Sequence, residues 1–370
     1  ALDALPAGDP ELVHLYGQSL AEGVLSTPVI TTSADAEVEA YKMEQSTTEE
    51  RLFESLTDTN KGESPASGLG YALMALGGAG RVTVARAGSG STAIDSLVDG
   101  GTQFELLESQ TTAFAGAQAS GKARAVAFIH GETDEDQGSM SYSADLEALQ
   151  DELDSAIKTI TGQSETVKLV VCQMSALRRA GGYEAQRRIN IAQQQYLAAK
   201  ADADIVLAGP KYQLDYVSDG DHLEPAASKG WGAKLAQVIN TEINGAGWTP
   251  LQPESFSVDG AVVTITMNVP FGPMVLDTST MAFPADGTTH GFSYISAKGE
   301  TRTIESVAID GDDLVITLDS APVAGFGIGY AAEGSASSNE RSTSARGNLR
   351  DSDTNAAVVA QGGAGSAFNW

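Results

Sequence analysis

The sequence predicts an α/β fold in which a doubly wound, mostly parallel sheet is followed by an all-β domain. Up to about residue 248, short apolar runs rich in β-branched residues alternate with longer stretches of helical periodicity. After that point, alternating segments flank Asp-Gly pairs instead. Continuous apolar runs are typical of strands covered by helices on both faces, and an Asp-Gly pair between alternating runs is typical of a hairpin.

Five strands and five helices are predicted in the first part of the chain. The strands are Leu12–Tyr16, Val82–Ala85, Ala125–Ile129, Val167–Cys172 and Ile205–Ala208. The helices cover roughly residues 34–57, 92–118, 144–160, 184–201 and 226–243, which are rich in Ala, Leu, Glu and Gln. Helices between consecutive strands imply right-handed crossovers. We therefore expect a five-stranded parallel sheet, with residues 1–248 as one domain.

Residues 249–370 are predicted to form a β-sandwich domain with a flexible C-terminal tail. One hairpin leads from Phe256–Gly260 into Val262–Met267, and a similar hairpin leads from Ile309–Gly311 into Leu314–Leu318. No long helical pattern follows. The tail at residues 361–366 consists of Gln, Gly, Ala and Ser, which favour flexibility.

The charge balance limits the classes of partner. The 370 residues include 22 Lys and Arg against 49 Asp and Glu, which gives a formal net charge of −27. Nucleic acids and anionic membrane surfaces attract clustered cations, so we expect neither as a partner. No apolar stretch is long enough to predict a transmembrane helix. The chain begins without a signal-peptide pattern, but high acidity favours an extracellular protein, either secreted or virion-associated.

Three single residues are expected to be structural. Cys172 lies in an apolar run, and as the single cysteine it allows neither an intrachain disulfide nor a cysteine-based zinc site. His14 lies on a buried strand, and His290 lies in the β domain. The sequence does not predict the oligomeric state.

Polar residues follow four of the predicted strands. Ligands of an open parallel sheet bind beyond the carboxyl ends of its strands, so these loops are the candidates for function. The loops are Gly17–Leu20, Ala87–Ser91, His130–Asp134 and Ser218–Leu223. Together they bring a serine, a glycine-rich turn, a polar cluster and an Asp-x-x-His sequence to one edge of the sheet.

These residue types suit nucleophilic catalysis. A serine hydroxyl needs a base to take its proton, and His222 is the candidate base for Ser19. Asp219 is a candidate acceptor for the second imidazole nitrogen, which would fix the tautomer of His222. The backbone N–H groups of Ser19 and Gly88 are candidates to stabilise the oxyanion that forms on attack.

The ordered set Gly-Gln-Ser, a glycine after the second strand, Gly-Glu-Thr-Asp and Asp-x-x-His resembles the SGNH (GDSL-like) hydrolases. The first and third motifs look most like the sialate O-acetylesterase and acetyl-xylan esterase branch. The resemblance covers about residues 10–246 and implies a flavodoxin-like sheet. It also implies that Ser19 is the nucleophile, His222 the base and Asp219 its orienter, with Ser19 and Gly88 in the oxyanion hole.

Departures from the family pattern leave two roles open. Leu20 stands where the branch commonly has Asn, and Phe-Ile-His-Gly-Glu stands where it commonly has Trp-x-Gln-Gly-Glu. His130 and Thr133 are the candidates for a third oxyanion donor. Glu132 competes with Asp219 for the role of orienter, and both Gln18 and Glu132 are candidates for contact with substrate.

Neither a nucleotide cofactor nor a metal is expected. Gly88–Ala93 fits the dinucleotide fingerprint, but it follows the second strand, and the next strand ends about twice as far on as that fingerprint requires. His130, Glu132, Asp134 and Asp136 alternate like metal ligands, yet no second ligand group accompanies them.

The expected function is that of a serine esterase that removes O-acetyl or other short acyl groups from a carbohydrate or polysaccharide. The reaction class follows from the candidate triad, and the carbohydrate follows from the resemblance. Two alternatives stay open. One is a polysaccharide-binding or phage-tail module without activity, and the other is a lipase, thioesterase or peptidase on the same scaffold.

Overall fold

A seven-stranded sheet forms the centre of the N-terminal part of the molecule. The computed structural model describes residues 9–54, 61–77, 79–175, 182–279, 288–296, 299–332 and 345–362. The strands of the sheet are β1 (Pro10–Gly17), β2 (Ala40–Glu44), β3 (Glu50–Arg51), β4 (Arg81–Arg86), β5 (Lys122–Ile129), β6 (Lys168–Gln173) and β7 (Ile205–Pro210).

The strands lie in the order β3-β2-β4-β1-β5-β6-β7, and every neighbouring pair is parallel except β2 and β3. The parallel α/β class is therefore confirmed, and the five predicted strands are β1, β4, β5, β6 and β7. This topology brings the carboxyl ends of β1, β4, β5 and β7 to one edge of the sheet.

The predicted helix at residues 34–57 is wrong, because this segment supplies β2 and β3. Ala40 to Glu44 pair in parallel with Val82 to Arg86, and the side chains of Lys42 and Met43 are buried. The Glu-rich sequence favours a helix by no more than about 0.7 kcal/mol per residue. The main-chain hydrogen bonds to β4, together with the burial of side chains of β2, outweigh that preference.

Helices cover both faces of the sheet, as predicted for a doubly wound fold. Within the described residues they are α1 (Ser19–Glu22), α2 (Pro65–Ala75), α3 (Thr102–Ala117), α4 (Glu132–Gln137), α5 (Tyr142–Thr161), α6 (Gly182–Ala201), α7 (Pro225–Ile243) and α8 (Ala356–Gly362). One face carries α2, α7 and α8 over Val13 and Leu15, and the other carries α3, α5 and α6 over Leu12 and Tyr16. None of these helices is both long enough and apolar enough to cross a bilayer.

Helix α2 was not expected from the sequence, because two glycines lower its helix propensity. Packing against α7 explains the glycine at position 68 and a matching glycine at position 232 of α7. A Cβ atom on Gly68 would lie 1.8 Å from the carbonyl oxygen of Lys229, and one on Gly232 would lie 1.8 Å from that of Pro65. The two helix backbones approach too closely for a larger residue at either position.

Antiparallel sheets form the part of the chain after residue 250. Their strands are β8 (Gln252–Asp259), β9 (Val262–Asn268), β10 (Val275–Leu276), β11 (Phe292–Ser296), β12 (Ile304–Asp310), β13 (Asp313–Leu318), β14 (Phe326–Tyr330) and β15 (Leu349–Arg350). A four-stranded sheet has the order β12-β13-β9-β8, and two-stranded sheets pair β10 with β15 and β11 with β14. Both predicted hairpins are confirmed. Phe292, Leu314 and Ile316 lie in the apolar core of this part.

The C-terminal chain returns to the α/β part. Arg346 is fully buried and donates hydrogen bonds to the carbonyl oxygens of Tyr212 and Leu214. Helix α8 then packs on α7 and α2, where Val358 joins their apolar core. The boundary at residues 248 and 249 stays a prediction, and most of the predicted tail, with Phe368 and Trp370, lies outside the described residues.

We expect Arg346→Ala to lower the free energy of unfolding by about 2–4 kcal/mol, because it leaves two buried carbonyl oxygens without their donor. Urea denaturation measures this change. Arg302 bonds carbonyl oxygens at an exposed position, so Arg302→Ala is the control and should change the value by no more than about 0.5 kcal/mol. Equal effects of the two substitutions would contradict the structural role assigned to Arg346.

Candidate active site

Ser19 begins α1, directly after the end of β1. Gly17 makes this turn possible, because its φ of 127° is rarely adopted by other residues. A Cβ atom at Gly17 would also lie 2.2 Å from the carbonyl oxygen of Ile129. The N–H of Gln18 donates to that same oxygen at 3.2 Å. Ser19 is therefore fixed against the carboxyl end of β5 as well as that of β1.

The structure brings Ser19, His222 and Asp219 together in one hydrogen-bonded chain. His222 Nε2 lies 2.9 Å from Ser19 Oγ, and His222 Nδ1 lies 2.6 Å from Asp219 Oδ2. An ionised carboxylate only accepts hydrogen bonds, so the proton of a neutral imidazole resides on Nδ1. Nε2 is then an acceptor that can take the proton of the Ser19 hydroxyl.

A tight loop holds Asp219 in its orientation. Its Oδ1 atom accepts hydrogen bonds from the backbone N–H groups of Asp221, at 2.8 Å, and His222, at 3.0 Å. Burial acts to raise the pKa of Asp219, but the hydrogen bonds from the His222 side chain and the two N–H groups lower it to about 2. Asp219 is therefore ionised near neutral pH and can stabilise an imidazolium at His222.

The loop after β4 lies against the Ser19 turn. Ser89 N–H donates to the carbonyl oxygen of Gly17 at 3.0 Å, and Gln45 Nε2 donates to that of Gly88 at 2.7 Å. A Cβ atom on Gly90 would lie 3.8 Å from the Cβ atom of Ser19. Among the described residues, no acceptor is found for the N–H of Gly88 or of Ser19. Both groups are thus available to a ligand at this edge.

Gln18 and Thr133 contact each other beside Ser19. The N–H of Thr133, in the first turn of α4, donates to Gln18 Oε1 at 3.3 Å. This bond connects the loop after β5 to the Ser19 turn and engages the backbone donor of Thr133. The predicted roles of Thr133 in the oxyanion hole and of Gln18 in substrate contact stay predictions.

The structure does not support His130 as an oxyanion donor. Its side chain is completely buried, Nε2 donates to the carbonyl oxygen of Thr92 at 2.8 Å, and Nδ1 accepts from Tyr142 Oη at 2.8 Å. The ring is also stacked between those of Phe128 and Tyr142. Burial lowers the pKa of His130 to about 4. With both nitrogens engaged, this neutral histidine is part of the core.

Glu132 does not orient His222 in this structure, because its carboxylate pairs with Lys211. Lys211 Nζ lies 2.9 Å from Glu132 Oε1, and its side chain is buried. Burial acts to raise the pKa of Glu132, but the charges of Lys211 and Arg188 lower it below its ordinary value. The sequence reasoning missed Lys211, although the residue follows β7 directly and the strand-end rule covers that position.

A separate cavity of about 380 Å³ lies between the α/β part and the β domain. Ser175 and Arg188 line it on one side, and Phe292 and Tyr330 on the other. Neither Ser19 nor His222 is among its lining residues. In the described part of the chain, no group of three or more His, Cys, Asp and Glu side chains is arranged to hold a metal ion.

Comparisons with known proteins find matches among solved structures. No protein-family model and no curated protein matches the chain. A carbohydrate acetylesterase from Xanthomonas citri is 14% identical, covers 92% of this chain and 78% of its own, and gives a TM-score of 0.60. A protein from Arabidopsis thaliana is 19% identical, covers 63% of this chain and 98% of its own, and gives a TM-score of 0.50.

This chain has the SGNH hydrolase fold. The predicted resemblance to SGNH hydrolases is thus confirmed at the level of the fold. The match with the Xanthomonas citri enzyme extends over the β domain as well as the α/β part, since it covers 92% of the chain. At these identities the similarity shows the fold alone.

Two buried histidines, His14 within β1 and His130 after β5, make stability depend on pH. Burial lowers the pKa of His14 to about 3 and that of His130 to about 4, from an ordinary value of 6.5. Below about pH 6.5 the unfolded chain therefore binds protons that the folded chain does not, and stability falls. Asp134 acts in the opposite direction, because burial raises its pKa to about 6.

His14→Gln isolates one of these groups, because glutamine can still donate to Thr111 Oγ1, the partner of His14 Nε2. Between pH 7 and pH 5, we expect the wild-type free energy of unfolding to fall by about 2 kcal/mol more than that of the variant. Urea titrations at several pH values measure the difference. Curves that run parallel over this range would show that His14 is protonated in the folded protein.

Proposed function

We propose that this protein is a serine esterase that removes O-acetyl or other short acyl groups from a carbohydrate through an acyl-enzyme. The observation that supports this most strongly is the chain of two hydrogen bonds from Ser19 through His222 to Asp219. An alcohol, an imidazole and an ionised carboxylate in this order form the arrangement that activates a serine nucleophile.

In the proposed reaction, Ser19 Oγ attacks the ester carbonyl carbon while its proton moves to His222 Nε2. The carbonyl oxygen becomes an oxyanion, which accepts hydrogen bonds from the N–H groups of Ser19 and Gly88. Asp219 stabilises the imidazolium. The C–O bond to the sugar then breaks, and the sugar oxygen takes the proton from His222. The acyl group remains on Ser19 Oγ.

The second half of the proposed reaction uses the same groups. His222 takes a proton from a water molecule, whose oxygen attacks the acyl carbon and forms a second oxyanion. When this intermediate collapses, the bond to Ser19 Oγ breaks and the serine recovers its proton from His222. The acid is released, and each residue returns to its initial state without a cofactor.

Two observations, a comparison and the net charge, support the substrate class in this proposal. The structure from Xanthomonas citri that matches both parts of this chain is described as a carbohydrate acetylesterase. The net charge of −27 also disfavours polyanionic substrates such as nucleic acids. We therefore propose an uncharged or weakly charged acetylated glycan.

Ser19→Ala tests the proposal directly. We expect it to lower kcat for an aryl acetate by about 10³-fold or more, because no other hydroxyl replaces the nucleophile. Ser109→Ala makes the same substitution on α3, where the hydroxyl bonds an exposed carbonyl oxygen, and should leave kcat unchanged. Equal activity of Ser19→Ala and wild type would refute the serine mechanism.

The same assay decides between the alternatives for the substrate. Aryl esters of increasing acyl length should be cleaved best as acetate, and acetate should be released from an acetylated polysaccharide. A preference for long acyl chains would indicate a lipase or thioesterase, in which Ser19 is still the nucleophile. Binding of the polysaccharide without turnover of any ester would indicate a module that lacks activity.

Asp219→Asn and Glu132→Gln separate the two candidates for the orienter. Loss of the Asp219 carboxylate should lower kcat by about 10²–10⁴-fold, because the favoured imidazole tautomer is lost. Glu132→Gln leaves the bond between Asp219 and His222 in place, so we expect a much smaller change in kcat for protein that stays folded. A larger loss for Glu132→Gln than for Asp219→Asn would assign the role to Glu132.

A further inference from the structure

A buried arginine joins the His222 loop to two other segments at the sheet edge. Arg188 lies in α6 and is only 4% exposed. Its Nη2 atom donates to Asp221 Oδ1 at 2.6 Å, and Nη1 donates to the carbonyl oxygen of Ser175 at 3.3 Å. Its Nε atom lies 3.5 Å from Glu135 Oε2, in α4. One side chain thus contacts the His222 loop, the end of β6 and α4.

Asp221, which Arg188 binds, also helps to hold the candidate triad in place. Asp221 donates its backbone N–H to Asp219 Oδ1 at 2.8 Å, and Asp219 Oδ2 accepts from His222 Nδ1. Asp221 therefore has its side chain fixed by Arg188 while its backbone helps to fix Asp219. A shift of Asp221 would move an N–H donor away from the carboxylate that orients His222.

Arg188 also supplies a positive charge among several carboxylates. Asp221 and Glu135 face it directly, and it interacts electrostatically with Glu132, whose own partner is Lys211. Burial acts to lower the pKa of Arg188, but these carboxylates raise it, so the side chain is charged. Charges in a buried site act over longer distances than charges in water, because the effective dielectric constant is lower.

We propose that Arg188 is a positioning residue for His222, which holds the Asp219–His222 loop through Asp221 and offsets the negative charge around it. This proposal rests on the proposed esterase function and adds to it a residue outside the triad. The contacts that carry it are the bond from Arg188 to Asp221 and the bond from Asp221 N–H to the carboxylate that accepts from His222.

The test measures kcat and KM for an aryl acetate as a function of pH in Arg188→Gln, Arg188→Lys and wild type. Arg188→Gln removes one positive charge from beside the loop that carries His222, so the acidic limb of its profile should move to higher pH. Its kcat should fall by about 10–100-fold with little change in KM, because the arginine acts through the loop and not on substrate.

Arg188→Lys separates the effect of charge from that of geometry. Lysine keeps the positive charge but lacks the planar set of N–H donors of the guanidinium group. Its acidic limb should stay near that of wild type while kcat falls. Arg187→Gln is the matched control, since it removes one charge from the same helix at a position that bonds the carbonyl oxygen of Asp136. It should leave both the limb and kcat close to wild type.

Asp221→Asn gives a second readout that does not depend on the stability of Arg188→Gln. Loss of this carboxylate should move the acidic limb to lower pH, and combining it with Arg188→Gln should return the limb toward wild type. Variants that lower only the thermal midpoint, with the limb and kcat unchanged, would overturn the proposal and leave Arg188 a structural residue.

Failure of the esterase assignment gives a different result. If Ser19→Ala is as active as wild type, the triad is not the site of reaction, and the role of Arg188 fails with it. If Ser19→Ala is inactive while Arg188→Gln matches wild type at every pH, the esterase assignment stands and only the role of Arg188 is rejected.

Discussion

The hydrogen bond between Ser19 and His222 depends on two loops, far apart in sequence, being held in fixed positions relative to each other. Ser19 and His222 are separated by 203 positions, yet their side chains meet at 2.9 Å. Ser19 follows β1, the middle strand of the sheet, whereas the His222 loop follows β7 at its edge. Because the strands are parallel, the carboxyl ends of β1 and β7 lie on the same side of the sheet. The sheet alone does not fix the position of the longer loop that follows β7. Side chains from other elements must hold it.

Buried charged groups serve this purpose. Lys211 begins the loop after β7 and pairs with Glu132, and Arg188 binds Asp221 within the loop. A buried ion pair gains little net stability, because desolvation of both charges offsets their attraction. What it does gain is a defined geometry, since moving either partner leaves an uncompensated charge in a site of low dielectric constant. In a chain with only 22 Lys and Arg, placing two of them behind one loop indicates that its position matters.

Features that depend on neighbouring residues in the sequence were predicted correctly. Features that depend on contacts with residues distant in the sequence were not. Apolar runs identified β1, β4, β5, β6 and β7, and the residues just beyond them pointed to Ser19 and to Asp219 with His222. Strand β2 was mistaken for a helix because its structure depends on pairing with β4. His130 follows β5 directly, as a site residue would, but both of its ring nitrogens form hydrogen bonds, to Tyr142 and to Thr92. The residue is therefore structural. Arg188 lies inside a helix and matches no motif, so only the folded structure shows which loop it binds.

The C-terminal chain adds a further support to the His222 loop. Arg346, which lies between β14 and β15, donates to the carbonyl oxygens of Tyr212 and Leu214, in the chain between β7 and Asp219. Tyr330 of the β domain also contacts Tyr212, through their hydroxyl groups at 3.1 Å. The chain between β7 and α7 is therefore bonded to the β domain near its start, and to α6 through Arg188 and Asp221 near its end. Because hydrogen bonds to buried carbonyl oxygens are costly to leave unmade, the β domain restrains the loop that carries His222 whether or not it binds a glycan.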